Sequence, residues 1–219
     1  MPKIAIVLST ILVIVLCLLG FAASRPVTYT VERSHIIDAP PAAVFEQVVD
    51  FHKWGTWSPW AKLDPNMKTT CEGDPGAVGS FYEWQGNAKV GHVKITLVEV
   101  HPPQNLKIKF EFLRPFPKRM RRLKRHALST GETVFTFEAA GNGTKVTWTI
   151  SGNKSLFGNA CAQLMNFDRM IGADFEKGLA QLETVASAGA RRATAALEKA
   201  TEATAAGPAA PHGSRTPMQ

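Results

Sequence analysis

Alternating apolar and polar side chains dominate the middle of the chain, between Lys68 and Gly152. Residues 106–112 read LKIKFEF, residues 133–139 read TVFTFEA and residues 145–150 read KVTWTI. Because successive side chains of a strand point to opposite faces of a sheet, each segment predicts a strand with one apolar and one polar face. Turn signals separate the strands, and the strongest is the sequence GNG at 141–143. We expect six consecutive antiparallel strands in this region.

One further strand and two short helices precede these strands. Val27–Ile37 is rich in β-branched residues, which favour strands, and is followed by the sequence APP. Proline suits the first turn of a helix, and the apolar residues of 44–49 recur on one side of the helix that follows. That helix leads into FHKWGTWSPW, residues 51–60, where a glycine and a proline allow only a second short helix or a turn.

The last predicted element is a long amphipathic helix, Leu156–Val185. Its apolar residues fall within one arc of the helix, and most of its charged residues lie opposite. The apolar face of a sheet must be covered, and this helix is the only predicted element long enough to cover it. The expected fold class is therefore α+β: a curved antiparallel sheet of about seven strands, in the order β-α-α-β6-α, wrapped around the C-terminal helix.

Three of the five tryptophans, Trp54, Trp57 and Trp60, lie in the connection between the short helices and the sheet. A tryptophan is large, and its N–H group requires an acceptor when it is buried. A curved sheet around one helix leaves a cavity that is open at one end, and this connection is placed to close that end. The three side chains are either ordinary core or the aromatic wall of a pocket, and the two interpretations are compatible.

The N-terminal segment Ile4–Ala23 contains no charged residue and has the length that one helix needs to cross the hydrocarbon core of a bilayer. We interpret residues 1–25 as a transmembrane anchor, which predicts a single-pass membrane protein. A cleaved signal peptide is the alternative, although its apolar region is usually about 7–15 residues long. The flanking charges do not indicate on which side of the membrane the domain lies.

The C-terminal residues 188–219 are rich in Ala, Thr, Gly and Pro and contain one leucine. This region has too little apolar surface to fold alone, although its alanines favour a helical extension to about Ala206. We therefore divide the chain into an anchor (1–25), a folded domain (26–187), and an Ala-rich helical extension with a disordered tail (188–219).

One segment carries most of the excess positive charge. The net charge is +7, and residues 114–125 (RPFPKRMRRLKR) hold seven Lys/Arg, so the rest of the chain is balanced. Within residues 116–128, apolar side chains recur every three or four positions, as in an amphipathic helix on an anionic membrane surface. A solvated hairpin extension is the alternative, and nucleic acid is disfavoured because no base-reading element accompanies the basic run. The predicted membrane-surface contacts are Arg119, Arg121, Arg122, Lys124 and Arg125.

Three motifs carry a resemblance to a known family. The segment SHIIDAPPAAVFEQVVDFHKWGTWSPW resembles the opening of the SRPBCC superfamily, the group that contains START, polyketide cyclase/dehydrase and birch-pollen-allergen-like domains. GNGTKVTWTISG and FDRMIGADFEKGLAQL are similar to its last hairpin and C-terminal helix, so the resemblance covers about residues 30–185. The matching residues are Pro40, Pro41, Val44, Phe45, Trp54, Trp57, Trp60, Trp148, Met170 and Phe175.

This resemblance implies a helix-grip fold with an internal cavity for lipids, sterols or polyketide-like molecules. Some members of the superfamily are cyclases or hydrolases, and the motifs are specific for the fold rather than for an activity. The chain departs from the family pattern in its N-terminal apolar segment and in the enlarged basic connection at about residues 114–130. Both departures favour a membrane as a partner.

No local motif indicates catalysis, a metal or a cofactor. The six histidines show no H-x-H or H-E-x-x-H spacing, the three cysteines show no C-x-x-C spacing, and neither a G-x-S-x-G elbow nor a phosphate-binding loop occurs. Asp168 is the best-placed acid beside the predicted cavity, because it flanks Ile171 and Phe175; a structural carboxylate is the alternative. The pattern does not decide whether Tyr82 and His92 face the cavity.

The predicted function is the binding of an apolar small molecule or lipid in the cavity, without catalysis. A polyketide cyclase/dehydrase-like or hydrolase-like enzyme using the same cavity is the alternative. A scaffold or stress-response module whose basic segment recruits a partner is a third hypothesis, and the oligomeric state is not indicated. The residues predicted to form the cavity wall or mouth are Trp54, Trp57, Trp60, Phe81, Phe110, Phe135, Phe137, Trp148, Phe167, Asp168, Ile171 and Phe175.

Overall fold

Seven strands form one antiparallel sheet in the order β1-β7-β6-β5-β4-β3-β2. The computed structural model describes residues 28–113, 127–153 and 167–205, together with Ile6, Thr10 and Val13. The number of strands and the antiparallel pairing predicted from the alternation are confirmed. The strands are β1 (Thr28–Ile37), β2 (Lys68–Glu72), β3 (Phe81–Gln85), β4 (His92–His101), β5 (Asn105–Leu113), β6 (Ala127–Ala140) and β7 (Gly143–Asn153).

Within residues 28–205, the described part of the chain contains three α-helices and one 3-10 turn beside the sheet. Helix α1 (Pro41–Val49) begins directly after Pro40, whose extended backbone precedes the first turn, as the double proline predicts. A 3-10 turn (Phe51–Lys53) and the short helix α2 (Trp54–Trp57) follow. Helix α3 (Phe167–Ala205) ends the described chain. The predicted helix began at Leu156, and its first eleven residues lie outside the described residues.

One face of the sheet, which we call the inner face, packs against the helices. The alternation predicted in β5 is confirmed, because Leu106 and Ile108 are fully buried on this face. Neighbouring strands continue the apolar row: Leu106 pairs with Phe135, and Phe135 pairs with Trp148. Helix α3 contacts chiefly β1 and the two short helices, so it lies toward the β1 side of the inner face.

The strand register gives the domain two distinct ends. At the end where β1 begins, which we call the Thr28 end, β5 stops at Leu113, β6 begins at Ala127 and β7 stops at Asn153. Strand β1 stops at Ile37, and the tight turns β4–β5 and β6–β7 lie at that opposite end, the Ile37 end. Helix α3 runs from the Thr28 end toward the Ile37 end, because its first turn contacts Arg33 and its residue Glu183 contacts His35.

Helix α3 touches the sheet directly at its centre. The ring of Phe175 stacks on the indole of Trp148 with 3.9 Å between centroids and 6° between planes. One turn later Gly178 faces the same indole, and a Cβ atom there would lie 2.9 Å from Trp148 and 3.0 Å from Pro59. Two of the residues predicted to line a cavity, Trp148 and Phe175, therefore contact each other, and space for a ligand must lie beside this contact.

The close approach at Gly178 gives a stability prediction. We expect Gly178→Ala to lower the free energy of unfolding by about 1–3 kcal/mol, because the new methyl group would push against two rigid rings. Urea unfolding followed by tryptophan fluorescence measures the change. The control is Gly189→Ala in the same helix, where no atom lies within 4 Å of the added Cβ; it should raise stability by about 0.5–1 kcal/mol. Equal stabilisation by both variants would contradict the contact.

Candidate functional site

Two of the three clustered tryptophans are core residues. Trp54 and Trp57 are buried, and their indole N–H groups donate to the backbone oxygens of Val48 (2.8 Å) and Gln47 (3.0 Å). Both rings meet Phe135 edge-on, at 6.3 Å between centroids. The polar requirement of each indole is met by α1, so these two side chains join the short helices to the sheet.

Trp60 lies at the edge of the core instead. It is half-buried, stacks on Trp84 with 6.1 Å between centroids, and meets Trp148 edge-on at 5.8 Å. Trp84 is buried on the inner face of β3, and its N–H group donates to the backbone oxygen of Val90. Of the three clustered tryptophans, Trp60 is the one whose position fits the mouth of a pocket.

The connection that carries Trp60 is held to the β3–β4 turn by one carboxylate. Asp64 is only 8% exposed, and its two oxygens accept the backbone N–H groups of Asn66 (2.9 Å) and Asn87 (2.6 Å). The side-chain amide of Asn87 in turn donates to the backbone oxygen of Leu63 (3.2 Å). These bonds fix residues 58–67 across the Thr28 end of β3. Nothing in the sequence pattern pointed to Asp64.

The structure shows which side chains of β3 face inward, a question that the sequence left open. Tyr82 faces inward and contacts the core, whereas Phe81 lies on the outer face, where the ammonium group of Lys94 sits 3.7 Å from its ring centroid. The assignment of Phe81 to the cavity wall is corrected, because side chains alternate along the strand. His92 also lies on the outer face and bonds Glu83 at 2.7 Å.

Two glycines create a flat area of the inner face near the Thr28 end. Gly131 of β6 and Gly152 of β7 are direct partners in the sheet. A Cβ atom on Gly131 would lie 2.5 Å from the ring of Phe110, and one on Gly152 would lie 2.9 Å from the hydroxyl of Tyr29. The two aromatic rings therefore extend over the glycines. We call Tyr29, Phe110, Gly131 and Gly152 the aromatic floor.

The polar groups on this part of the inner face stay protonated. Burial raises the pKa of Tyr29 to about 12. Burial also raises the pKa of Tyr82, with a smaller contribution from Cys71, against the opposing hydrogen bond from Thr69. The pKa of Cys71 is raised by burial and by the nearby carboxylate of Asp50. At neutral pH these side chains are hydrogen-bonding neutral groups rather than bases or nucleophiles.

Arg33 of β1 joins the sheet to the first turns of α3. Its Nε donates to Glu176 (3.0 Å); its Nη1 donates to the backbone oxygen of Glu32 (2.7 Å) and to Asp168 (3.3 Å). Its Nη2 donates to the backbone oxygen and the carboxylate of Asp168, at 3.2 and 3.0 Å. All five N–H groups thus have an acceptor, and Gly172 lies so close to the guanidinium that a Cβ atom would collide with it.

This arrangement favours the structural interpretation of Asp168. Its side chain is 61% exposed and bonded to Arg33, and that hydrogen bond, more than the attraction of opposite charges, lowers the pKa of Asp168. A second contact joins β1 to α3 nearer the Ile37 end. The ring Nε2 of His35 lies 2.8 Å from the carboxylate Oε2 of Glu183. Sequence reasoning missed Arg33, because a single arginine in a strand carries no local signal of a partner on a distant helix.

The remaining candidate residues divide by position. Phe110, Phe135 and Phe137 are buried on the inner face, and Ile171 is half-buried on α3 against the core. Phe167 is the first residue of α3, and its side chain lies outside what the structure describes. The five basic residues predicted to contact a membrane, within 114–125, lie outside the described residues as well.

The described residues contain neither a membrane-spanning helix nor a group of metal ligands. Within the described residues, no helix is long and apolar enough to cross a bilayer. The predicted anchor Ile4–Ala23 lies outside those residues except for Ile6, Thr10 and Val13. Among the side chains that the structure describes, no three His, Cys, Asp or Glu residues are grouped to hold a metal ion.

Comparison with known families identifies the domain. A model of the family described as "Polyketide cyclase / dehydrase and lipid transport" matches residues 28–187, well over half of the chain. The chain belongs to this family. Membership confirms the SRPBCC resemblance and the helix-grip fold, while the family's description includes both enzymes and lipid carriers. No curated protein matches the chain significantly.

The domain is similar to several solved structures at low sequence identity. An uncharacterized protein from Rhizobium leguminosarum is 16% identical over 73% of this chain and 94% of its own, with a TM-score of 0.50. Protein CV1439 from Chromobacterium violaceum is 14% identical, over 72% and 96%, with a TM-score of 0.48. Ara h 8.0201 is 14% identical, over 73% and 97%, with a TM-score of 0.49. At 16% identity, the similarity to the Rhizobium leguminosarum protein shows the fold alone.

The lowered pKa of Asp168 gives a pH prediction. A carboxyl whose pKa is depressed in the folded chain stabilises it above the ordinary carboxyl pKa, and this contribution disappears as the pH falls through the folded value. We expect Asp168→Asn to reduce the thermal midpoint at neutral pH and to have no effect well below about pH 4. Calorimetry of both chains across this range measures the difference. A difference that stays constant with pH would show that the ion pair does not stabilise the fold.

The buried carboxylate gives a second prediction. Asp64→Ala leaves two backbone N–H groups without their acceptor, so we expect the free energy of unfolding to fall by about 1–3 kcal/mol and the emission of Trp60 to shift to the red. The control is Asp74→Ala, an exposed aspartate in the β2–β3 connection, which should change stability by less than about 0.5 kcal/mol. Equal effects of the two variants would contradict the role assigned to Asp64.

Proposed function

We propose that the chain is a membrane-anchored, non-catalytic binder of an apolar small molecule or lipid, held between α3 and the inner face at the Thr28 end. The ligand class is the one that the lipid-transport part of the family description suggests. The observation that carries the proposal is the aromatic floor. There the sheet offers two rings extending over a glycine pair, instead of the interlocking contact seen at Trp148 and Phe175.

The surroundings of the floor support a ligand-binding role. Ile150 and Ile171 contact the buried core but are themselves only half-buried, as is Tyr29. Ligand sites in proteins are mostly apolar, with a few polar groups that orient the bound molecule. The hydroxyl groups of Tyr29 and Tyr82 are of this kind. An apolar molecule of modest size would complete the burial of these side chains.

The chemistry of the same groups argues against the enzymatic alternative. General acid–base catalysis is most efficient when the pKa of the catalytic group lies near the working pH. The inner-face tyrosines are shifted away from neutrality, and the shift of Cys71 disfavours its thiolate. Arg33, a cation on this face, already has an acceptor for each of its N–H groups. Such a surface orients a ligand and does not activate it.

Anchoring is the second part of the proposal. The uncharged segment Ile4–Ala23 is long enough to cross a bilayer, and only four residues separate it from β1. The basic residues of 114–125 are proposed to contact anionic headgroups, each contributing on the order of 1 kcal/mol near such a surface. The proposed location is therefore a membrane, with the domain attached by a single helix.

A ligand-retention experiment tests the proposal. The full chain, purified from membranes in detergent, is extracted with organic solvent, and the extract and the intact chain are analysed by mass spectrometry. We expect an apolar molecule at near-stoichiometric amounts. Ile171→Trp enlarges a half-buried side chain in the second turn of α3 that packs against the core, and it should reduce retention at least about tenfold, since a single well-placed clash costs more than about 1.4 kcal/mol.

The matched control is Leu197→Trp, an exposed position beyond the packed part of the same helix. This variant should retain the ligand as the unmodified chain does. Absence of any extractable molecule, or equal retention by both variants, would refute binding at this site. Conversion of the bound molecule by the purified chain, abolished by Tyr29→Phe, would establish the enzymatic alternative instead.

A further inference from the structure

The first turns of α3 carry a second acid besides Asp168. Asp174 is half-buried, whereas Asp168 is largely exposed and bonded to Arg33. Among the described residues, no cation and no hydrogen-bond donor contacts the carboxylate of Asp174. Taking a carboxylate out of water costs free energy unless a partner replaces the lost water. A half-buried acid of this kind therefore marks a position at which a bound molecule can supply the partner.

Asp174 lies on the side of α3 that faces the connection carrying Trp60. At about 100° per residue, Ile171, Asp174 and Gly178 fall within about 60° of one another around the helix. Gly178 lies against Pro59, and Ile171 packs against the core. Side chains of a helix also lean toward its N-terminus, which for α3 is the Thr28 end. The carboxylate of Asp174 is thus directed toward the less tightly packed part of the inner face.

The sheet beneath this turn of α3 lies between the tightly packed centre and the aromatic floor. Phe175, the next residue after Asp174, stacks on Trp148, and the following inner-face residues of β7 toward the Thr28 end are Ile150 and Gly152. One helical turn advances about 5.4 Å, and two strand residues advance about 7 Å. The turn that precedes Phe175 therefore stands over Ile150, and its next neighbour on the sheet is the glycine pair of the floor.

The negative charge of Asp174 is not balanced by Arg33. That arginine lies on the other flank of α3, where Asp168 and Glu176 accept its N–H groups. The nearby hydroxyl of Tyr29 is neutral, because burial raises its pKa to about 12. In apolar surroundings a carboxylate attracts a cation or a hydrogen-bond donor and repels an anion more strongly than in water. The charge therefore selects among ligands by their polar ends.

We propose that Asp174 binds the polar end of the ligand, and that the ligand is an amphiphile whose polar end donates hydrogen bonds, as an ammonium or a hydroxyl group does. The apolar body of the molecule lies over the aromatic floor. Amphiphiles with an anionic end are disfavoured, because their charge would meet that of the carboxylate. This inference rests on the proposed function and adds the class of polar end that the site accepts.

Competition among three amphiphiles tests the assignment. The full chain, purified in detergent, is incubated with equal amounts of dodecylamine, dodecanol and dodecanoate, and the retained molecules are quantified by mass spectrometry. The three probes share one apolar chain and differ only in their polar end, which at neutral pH is an ammonium, a hydroxyl or a carboxylate. We expect the unmodified chain to retain the amine and the alcohol at least about tenfold over dodecanoate.

The variant Asp174→Asn removes the charge and keeps the shape of the side chain. We expect the ratio of dodecylamine to dodecanoate to fall at least about tenfold relative to the unmodified chain, which corresponds to about 1.4 kcal/mol. Partitioning into detergent cancels, because both chains meet the same mixture. The matched control is Glu198→Gln, which removes an exposed carboxylate beyond the packed part of the same helix and should leave the ratios unchanged.

Two results would overturn the assignment of Asp174. One is an equal set of ratios in Asp174→Asn and in the unmodified chain. The other is a marked loss of thermal stability in Asp174→Asn, which would show that the carboxylate has a structural partner. Retention of all three probes that is lost in Ile171→Trp would still leave the binding site in place. Retention of none of the probes by the unmodified chain would contradict the proposed function as well.

Discussion

The stack of Phe175 on Trp148 fixes the position of α3, and the rest of the domain is arranged around it. The helix approaches this closely because Gly178 has no side chain to hold it away from the indole and Pro59. Asp168 binds the same arginine as Glu176, which follows about two turns later, so Arg33 holds the first turns of α3 against β1. The ring stack in the core and the five hydrogen bonds of Arg33 at its edge together allow α3 only one position along the sheet.

The same interaction divides the inner face into a tightly packed centre and a Thr28 end where the side chains are less completely buried. At the centre, polar atoms are satisfied inside the fold: the indole N–H of Trp148 donates to the hydroxyl of Thr133, which donates to the backbone oxygen of Thr149, both at 2.8 Å. Toward the Thr28 end, glycines replace the large side chains of β6 and β7, and half-buried side chains replace fully buried ones. The candidate site lies where the tight packing stops.

Local periodicity predicted the fold, and long-range pairing determined the site. The period of two in residues 106–112 and the apolar arc of the last helix are properties of single elements, so seven strands and a C-terminal helix followed from them. In β3, aromatic residues at adjacent positions made both phases plausible, and Phe81 was assigned to the wrong face. The Arg33–Asp168 pair spans 135 positions, and the glycine pair of the floor joins two strands. Neither has a local signature in the sequence.

Because the family shares one fold across enzymes and lipid carriers, function depends on what a given chain places on its inner face and at its ends. Here the glycine pair and the short connection to the proposed anchor are encoded in separate parts of the sequence. The fold brings both of them to the Thr28 end. A carrier that met its ligand in water would gain nothing from this coincidence, since any orientation would serve equally well. A carrier that takes its ligand from the bilayer to which it is proposed to be tethered requires it, because floor and tether must then face the same way.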